Sequence, residues 1–261
     1  MKIMNRFTKN LIAGAVAMAM VAMAAQAFAD SIPQYVSILK VEGGARYSTD
    51  GGKNWTLLKR GDVLNPGSLI QTAEHGTVEL LMGPEVHLGA ASASTGSPSA
   101  PSKLAAKDLG NKGNAVRIYP NSVLSVDKLT YEKTGMDEVS ETQLDLKAGR
   151  IMGNVKKLSA ASRYEVKIPN GVAGIRGTTY VIGADGVIYV IDGSVVISYV
   201  DPNGVLQTQT LIGGQSFNPN APPGQQVGHD APPVDTSPIG GIYVAPGNPT
   251  IDHTVYHISP N

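Results

Sequence analysis

Apolar residues recur along this chain in short runs, each closed by glycine, proline or an Asp-Gly pair, and nowhere at the 3.6-residue spacing of a helix. That punctuation is the strongest constraint on the fold. Thirty Gly and 17 Pro in 261 residues break most long helices and leave room for many short strands. The run 35–41 ends at Glu42-Gly43-Gly44, and Asp50-Gly51-Gly52 separates 45–49 from 55–58 as a hairpin signal. Asn65-Pro66-Gly67 turns the chain into 68–72, and 77–82 follows. Arg163-Tyr164-Glu165-Val166-Lys167-Ile168 alternates apolar and charged residues without a fault, as a strand with one buried face does. Residues 187–191 and 195–200 are continuously apolar and β-branched, which places them in the middle of a core. Asp185-Gly186, Asp192-Gly193 and Pro202-Asn203-Gly204 mark the turns around them. An all-β chain of more than a dozen strands is expected. Two architectures fit it: an elongated twisted β-roll or solenoid, or a two-sheet β-sandwich.

Three segments depart from the pattern. Residues 1–29 join a basic start (Lys2, Arg6, Lys9) to an Ala- and Met-rich apolar run over 11–25 and an Ala27-Phe28-Ala29 cleavage site. A spanning helix needs roughly 20 strongly apolar residues. The segment therefore reads as a bacterial signal peptide cleaved after Ala29, leaving a periplasmic or secreted chain from Asp30 with no stable membrane span. Residues 90–115 are rich in Ala, Ser and Gly and read as a flexible insertion in a β domain covering 30–217. Residues 218–261 form a Pro-rich tail, expected to be semi-rigid and extended.

Charge and cysteine content remove several functions. Lys plus Arg and Asp plus Glu number 21 each; without the three basic residues of the leader the balance is 18 against 21, a net of −3. Nucleic-acid binding needs a basic excess to displace counterions, so no nucleic-acid partner is expected. The absence of Cys excludes a disulfide framework, thiolate catalysis and cysteine metal sites.

Fragments of catalytic motifs occur, each short of what its chemistry needs. Gly171, Gly174 and Gly177 around Arg176 look like a phosphate loop, but Thr178 to Ile182 continue as strand where a helix is required. Glycines permitting a tight turn are the better account. Arg176 is expected half-buried, stapling loop carbonyls with its fork of donors; contact with a ligand carboxylate is the alternative. Gly214-Gln215-Ser216-Phe217-Asn218 lacks the fifth glycine and the helix of a nucleophile elbow, which sets Ser216 aside. Asp235-Thr236-Ser237 matches half of an aspartic-protease pair and reads as chance. His253 and His257 stand roughly 13 Å apart if strand-borne, too far for one zinc ion. His75 and His87 with Glu74, Glu79 and Glu85 read as a solvated sheet face. No metal or cofactor site is expected. Trp55, beside the Asp50-Gly51-Gly52 turn, reads as a cover for one end of its own hairpin rather than a binding anchor.

From Val41 to Phe217 the order of segments resembles the FecR domain family. The matching pieces are Gly43-Gly44-Ala45-Arg46, Lys59 to Leu64 with Gly67, Ile70-Gln71-Thr72, Thr77 to Leu80 and Tyr119 to Ser122. Leu146 to Val155, Val166 to Pro169 and Ile175-Arg176-Gly177-Thr178-Thr179-Tyr180 continue it, followed by Asp192 to Val195 and Gly213-Gly214-Gln215. The resemblance implies an exported, non-enzymatic β domain that senses or docks other envelope proteins, and it favours the elongated architecture. It also implies that Gly174, Arg176, Gly177 and Thr178 form a structural family motif. Regulators of that family carry an anti-sigma segment and a transmembrane helix before the domain, where this chain has its signal peptide.

Two functions of different class remain open. One is a non-catalytic envelope module whose partner is another envelope protein or a cell-wall polymer. The other is a secreted polysaccharide hydrolase drawing paired carboxylates from Glu79, Glu85, Glu165, Asp185 or Asp192. A lesser third is a structural protein that self-assembles through edge strands.

Overall fold

The apolar runs are too short and too β-branched to bury as helices, and every regular element among the described residues is a strand. The structure, a computed structural model, describes residues 30–84, 113–134, 137–201 and 203–239. The signal-peptide reading of 1–29 lies outside them, as do His87, Glu85, His253 and His257.

The chain shuttles between two sheets. β1 (Asp30–Ser31) opens the described part, and β2 (Tyr35–Glu42) lies in sheet B. The hairpin β3 (Ala45–Ser48) and β4 (Thr56–Leu57) lies in sheet A. β5 (Val63–Leu64) returns to B, β6 (Leu69–Thr72) to A, and β7 (Thr77–Gly83) and β8 (Asn114–Ile118) to B. β9 (Val123–Thr134) and β10 (Asp137–Ala148) form a long hairpin in A, β11 (Arg150–Asn154) joins B, and β12 (Arg163–Ile168) with β13 (Gly171–Ile175) rejoins A. β14 (Thr179–Gly183) and β15 (Ile188–Asp192) extend B, then β16 (Ser194–Val200) and β17 (Leu206–Ile212) extend A. β18 (Ser216–Phe217) and β19 (Val227–Gly228) finish B.

Sheet A is ordered β17-β16-β13-β12-β10-β9-β6-β3-β4 and sheet B β19-β18-β15-β14-β11-β8-β7-β2-β5. Both sheets therefore grow in nearly chain order, and neither closes into a barrel. The all-β class holds, in the two-sheet form of the β-sandwich alternative. The strand pairs are antiparallel except β10 with β12, where Glu141 faces Arg163 and Asp145 faces Lys167. That parallel pair needs a crossover, and β11 in the opposite sheet supplies it.

Alternate residues fill the space between the sheets. Tyr164, Val166 and Ile168 of β12 and Val195, Ile197 and Tyr199 of β16 meet Ile151, Tyr180, Ile182, Ile188 and Phe217 from sheet B. Tyr199 packs edge-on against Phe217 at 4.9 Å between ring centres. Tyr164 and Tyr180 share a buried hydroxyl–hydroxyl hydrogen bond of 3.2 Å, and burial pushes both phenols well above their ordinary range.

The outer faces differ. That of sheet A carries the ion pairs Lys128–Glu141, Lys147–Asp145 and Lys167–Asp127. That of sheet B is apolar and covered: Leu39, Leu81, Ala115, Tyr119, Met152 and Val181 cluster with Ile239, and Val234 packs against them. Part of the segment read as a semi-rigid, extended tail is thus laid across a sheet. Asn114 and Ala115, read as the end of the insertion, are buried in β8. The run 195–200 also differs from expectation. Val196 and Val200 are 45% and 49% exposed, because no described segment covers the outer face of β16.

Candidate functional site

The corner between β13 and β14 holds the expected motif. Gly174 lies within β13 opposite Val196. Gly177 is buried with φ 62°, and a Cβ there would stand 3.1 Å from the Lys157 Cα, so the turn needs glycine. Arg176 departs from its expected half-buried position. It is exposed and donates from Nη2 to the Ser159 carbonyl at 2.9 Å, reaching the β11–β12 connection. Its neighbours point inward while alternation carries Arg176 out. Arg176→Ala therefore removes one solvent-screened bond, and an urea melt is expected to show a loss of about 1 kcal/mol or less.

Thr178 is the staple instead. Its Oγ1 donates to the Ser194 carbonyl at 2.7 Å and accepts the Ser194 N–H at 3.2 Å, and the residue is fully buried. The device recurs. Thr72 Oγ1 accepts the Ser122 N–H at 2.9 Å and donates to the Tyr119 carbonyl at 2.7 Å, with the Ser122 carbonyl at 3.3 Å, while Ser122 Oγ donates to the Arg150 carbonyl at 3.1 Å and accepts its N–H at 2.9 Å. All three latches sit where the chain passes between sheets. Backbone groups leave their ladder there, and a short buried hydroxyl satisfies both.

The richest polar constellation lies elsewhere, on the outer face of sheet B. Lys40, Glu79, Arg117, Met152, Val181 and Tyr189 form one row across successive strands. Arg117 donates to Glu79 Oε1 from Nε at 2.9 Å and from Nη2 at 2.6 Å, and both side chains are 5% exposed. The other side of its fork grips residues 235–238. Nη1 donates to the carbonyls of Asp235 and Ser237, both at 3.0 Å, and Nη2 to the Pro238 carbonyl at 3.3 Å. Nη1 also lies 3.3 Å from Asp235 Oδ2, and the Tyr119 hydroxyl donates to the Asp235 carbonyl. Burial alone would lower the Arg117 pKa, but the Glu79 carboxylate outweighs it and the net shift is upward. Burial raises the Tyr119 phenol. The Ser237 N–H, its hydroxyl and Arg117 hold the Asp235 carboxyl below its ordinary value. The guanidinium staple expected at Arg176 is thus built at Arg117, and Asp235-Thr236-Ser237 anchors a strap.

A recess of about 640 Å³ opens beside the strap, lined by Lys40, Glu42, Glu79, Arg117, Arg150 and Asp185 among others, with Pro233 to Asp235 of the strap on its wall. Its charges are matched: Lys40 pairs with Glu42 at 2.9 Å and Arg150 with Asp185 at 3.6 Å. Glu79 and Asp185, two of the five carboxylates considered for hydrolysis, line this same recess. Each faces a guanidinium, whereas a general acid requires an apolar setting that retains its proton. Glu165 pairs with Arg163 on sheet A, and Asp192 ends β15.

The remaining motif fragments hold local structure. Ser216 Oγ accepts the Asp230 N–H at 3.2 Å, and His229 is turned to the Gly214 carbonyl. His75 is exposed at a turn, and no group of three metal-ligating side chains occurs among the described residues. Trp55 lies under the Arg46 guanidinium at 4.4 Å and covers its hairpin beside Gly52. Asp50 ties that hairpin's turn by accepting the Asn54 and Lys53 N–H groups, and the Asn54 N–H, the Ser48 hydroxyl and the Asn54 side-chain amide lower its carboxyl to about 2.

No curated protein matches the chain. Two crystal structures of a candidate anti-sigma factor from Parabacteroides distasonis ATCC 8503, at 1.65 and 2.50 Å, are each 14% identical to it. The match covers 41% of this chain and about half of theirs (48% and 47%), with TM-scores of 0.30 and 0.29. Residues 106–196 match the model of the family described as FecR protein. That span, about a third of the chain, holds β8, β11, the Thr178 corner and Arg117, and it is the part that is similar to the FecR family.

Proposed function

We propose that the mature chain is a non-catalytic exported module that docks or senses another envelope protein or a cell-wall polymer, with the strapped groove of sheet B as its docking site. The observation that carries this reading is the pairing of charges around the groove. Lys40–Glu42, Arg117–Glu79 and Arg150–Asp185 leave a polar, electrically balanced recess, with Tyr119, Pro120, Ala184, Pro233 and Val234 as its apolar lining. Such a surface suits recognition, where polar groups orient a ligand and apolar area supplies affinity. The FecR match supports a sensing or regulatory role.

Photocrosslinking in the cell tests the reading. A photoreactive residue at Lys40, on the groove, is expected to trap one discrete protein or polymer. The same residue at Gln143, on the opposite sheet, is expected to trap none. Equal labelling at the two positions, or release of sugar from a polysaccharide by the purified chain, overturns it.

A further inference from the structure

β17 is the last strand of sheet A, and no described strand lies beyond it. Its Ile212 N–H donates to the Gln215 side-chain oxygen at 3.0 Å rather than to β16. Backbone bonds Asp201 to Val205 and Gly213 to Gly193 close the two ends of the β16–β17 hairpin through odd-numbered residues. Antiparallel pairing alternates, so the N–H and C=O groups of Leu206, Thr208 and Thr210 face the free edge, while Gln215 takes both backbone groups of Ile212.

Native proteins blunt such an edge with lysine, proline or a bulge. Leu206-Gln207-Thr208-Gln209-Thr210-Leu211-Ile212 has no charge and no proline, and its register with β16 runs unbroken. Leu206 is 70% exposed and Ile212 56%, and their side chains lie on the same outer face as Val196 and Val200. The seven residues also read nearly alike in both directions about Gln209. Against an antiparallel second copy, Leu206 meets Ile212, Thr208 meets Thr210 and Gln209 meets Gln209. Each Thr208–Thr210 pair then joins two edge-facing residues, so both backbone bonds of each form, and the Leu206–Ile212 pairs add apolar contact on the outer face.

We infer that the chain forms a two-fold dimer by pairing β17 with β17 of a second copy, centred on Gln209, which joins two A sheets into one. A charged peptide gains no ion pair along this edge, whereas an identical uncharged strand sets Thr against Thr and Leu against Ile on the outer face.

Sedimentation of the full mature chain over about 1 μM to 1 mM reads the outcome directly. The mass is expected to rise from monomer to dimer. Thr208→Pro removes an edge-facing N–H that β16 does not use, so the fold is expected to survive in far-ultraviolet circular dichroism while the dimer is lost. The double variant T208K/T210K places like charges opposite each other and is expected to be monomeric. T208K/T210E places opposite charges there and is expected to dimerise again. A wild-type chain that stays monomeric throughout, or a dimer that persists in folded Thr208→Pro, overturns the inference.

Discussion

Arg117→Ala is expected to lower the unfolding free energy by about 3–5 kcal/mol, the usual cost of removing one partner of a buried ion pair. The substitution strips the Glu79 carboxylate of its guanidinium while both positions remain in the middle of β7 and β8. It also releases the carbonyls of Asp235, Ser237 and Pro238, so the strap loses its grip. Urea denaturation measures the first effect, and limited proteolysis, with cleavage appearing first within 229–239, measures the second. Adding Glu79→Gln to Arg117→Ala is expected to recover part of the loss, because an amide tolerates burial better than a charge. A loss below about 1 kcal/mol would mean that the pair sits in effectively open solvent.

Thr178→Val keeps the shape of the side chain and deletes only its hydroxyl. The Ser194 N–H and C=O then lose their partner at a sheet crossing, with an expected cost of about 1–3 kcal/mol. Thermal melts of Thr178→Val and Thr178→Ser decide between latch and packing. The serine variant retains the hydroxyl and is expected to lie closer to wild type. A serine variant as unstable as the valine one would assign the role of Thr178 to its methyl group.

Strand positions and turn chemistry were legible because glycine and proline act locally: the Asp50-Gly51-Gly52 hairpin and the Arg163–Ile168 alternation stand where their residues place them. What covers an outer face is a long-range matter. The β-branched run 195–200 looks the same whether or not a segment lies over it, and nothing described does. The clamp left a readable trace. Glu79 interrupts Val78-Glu79-Leu80-Leu81-Met82, and Arg117 interrupts Ala115-Val116-Arg117-Ile118, so each places a charge in an apolar strand. Read as a pair, they predict a buried ion pair; read singly, each passes for a solvated face. Arg176 misled for the complementary reason. Its glycine frame drew attention to the guanidinium, while the corner is held by Thr178, a residue with no distinctive spacing.

The strap closes a circle in time as well as in space. Ile239 and Val234 rest on Leu39 and Leu81, so nearly the last described residues shelter the first strands to be made. At a synthesis rate of about 5–20 residues per second, the outer face of β2, β7 and β8 waits about 6–40 s for its cover. A chain cut before Val234 is expected to keep the ladders of sheet B and to expose Leu39, Leu81 and Met152, an apolar mark that separates an uncovered copy from a covered one.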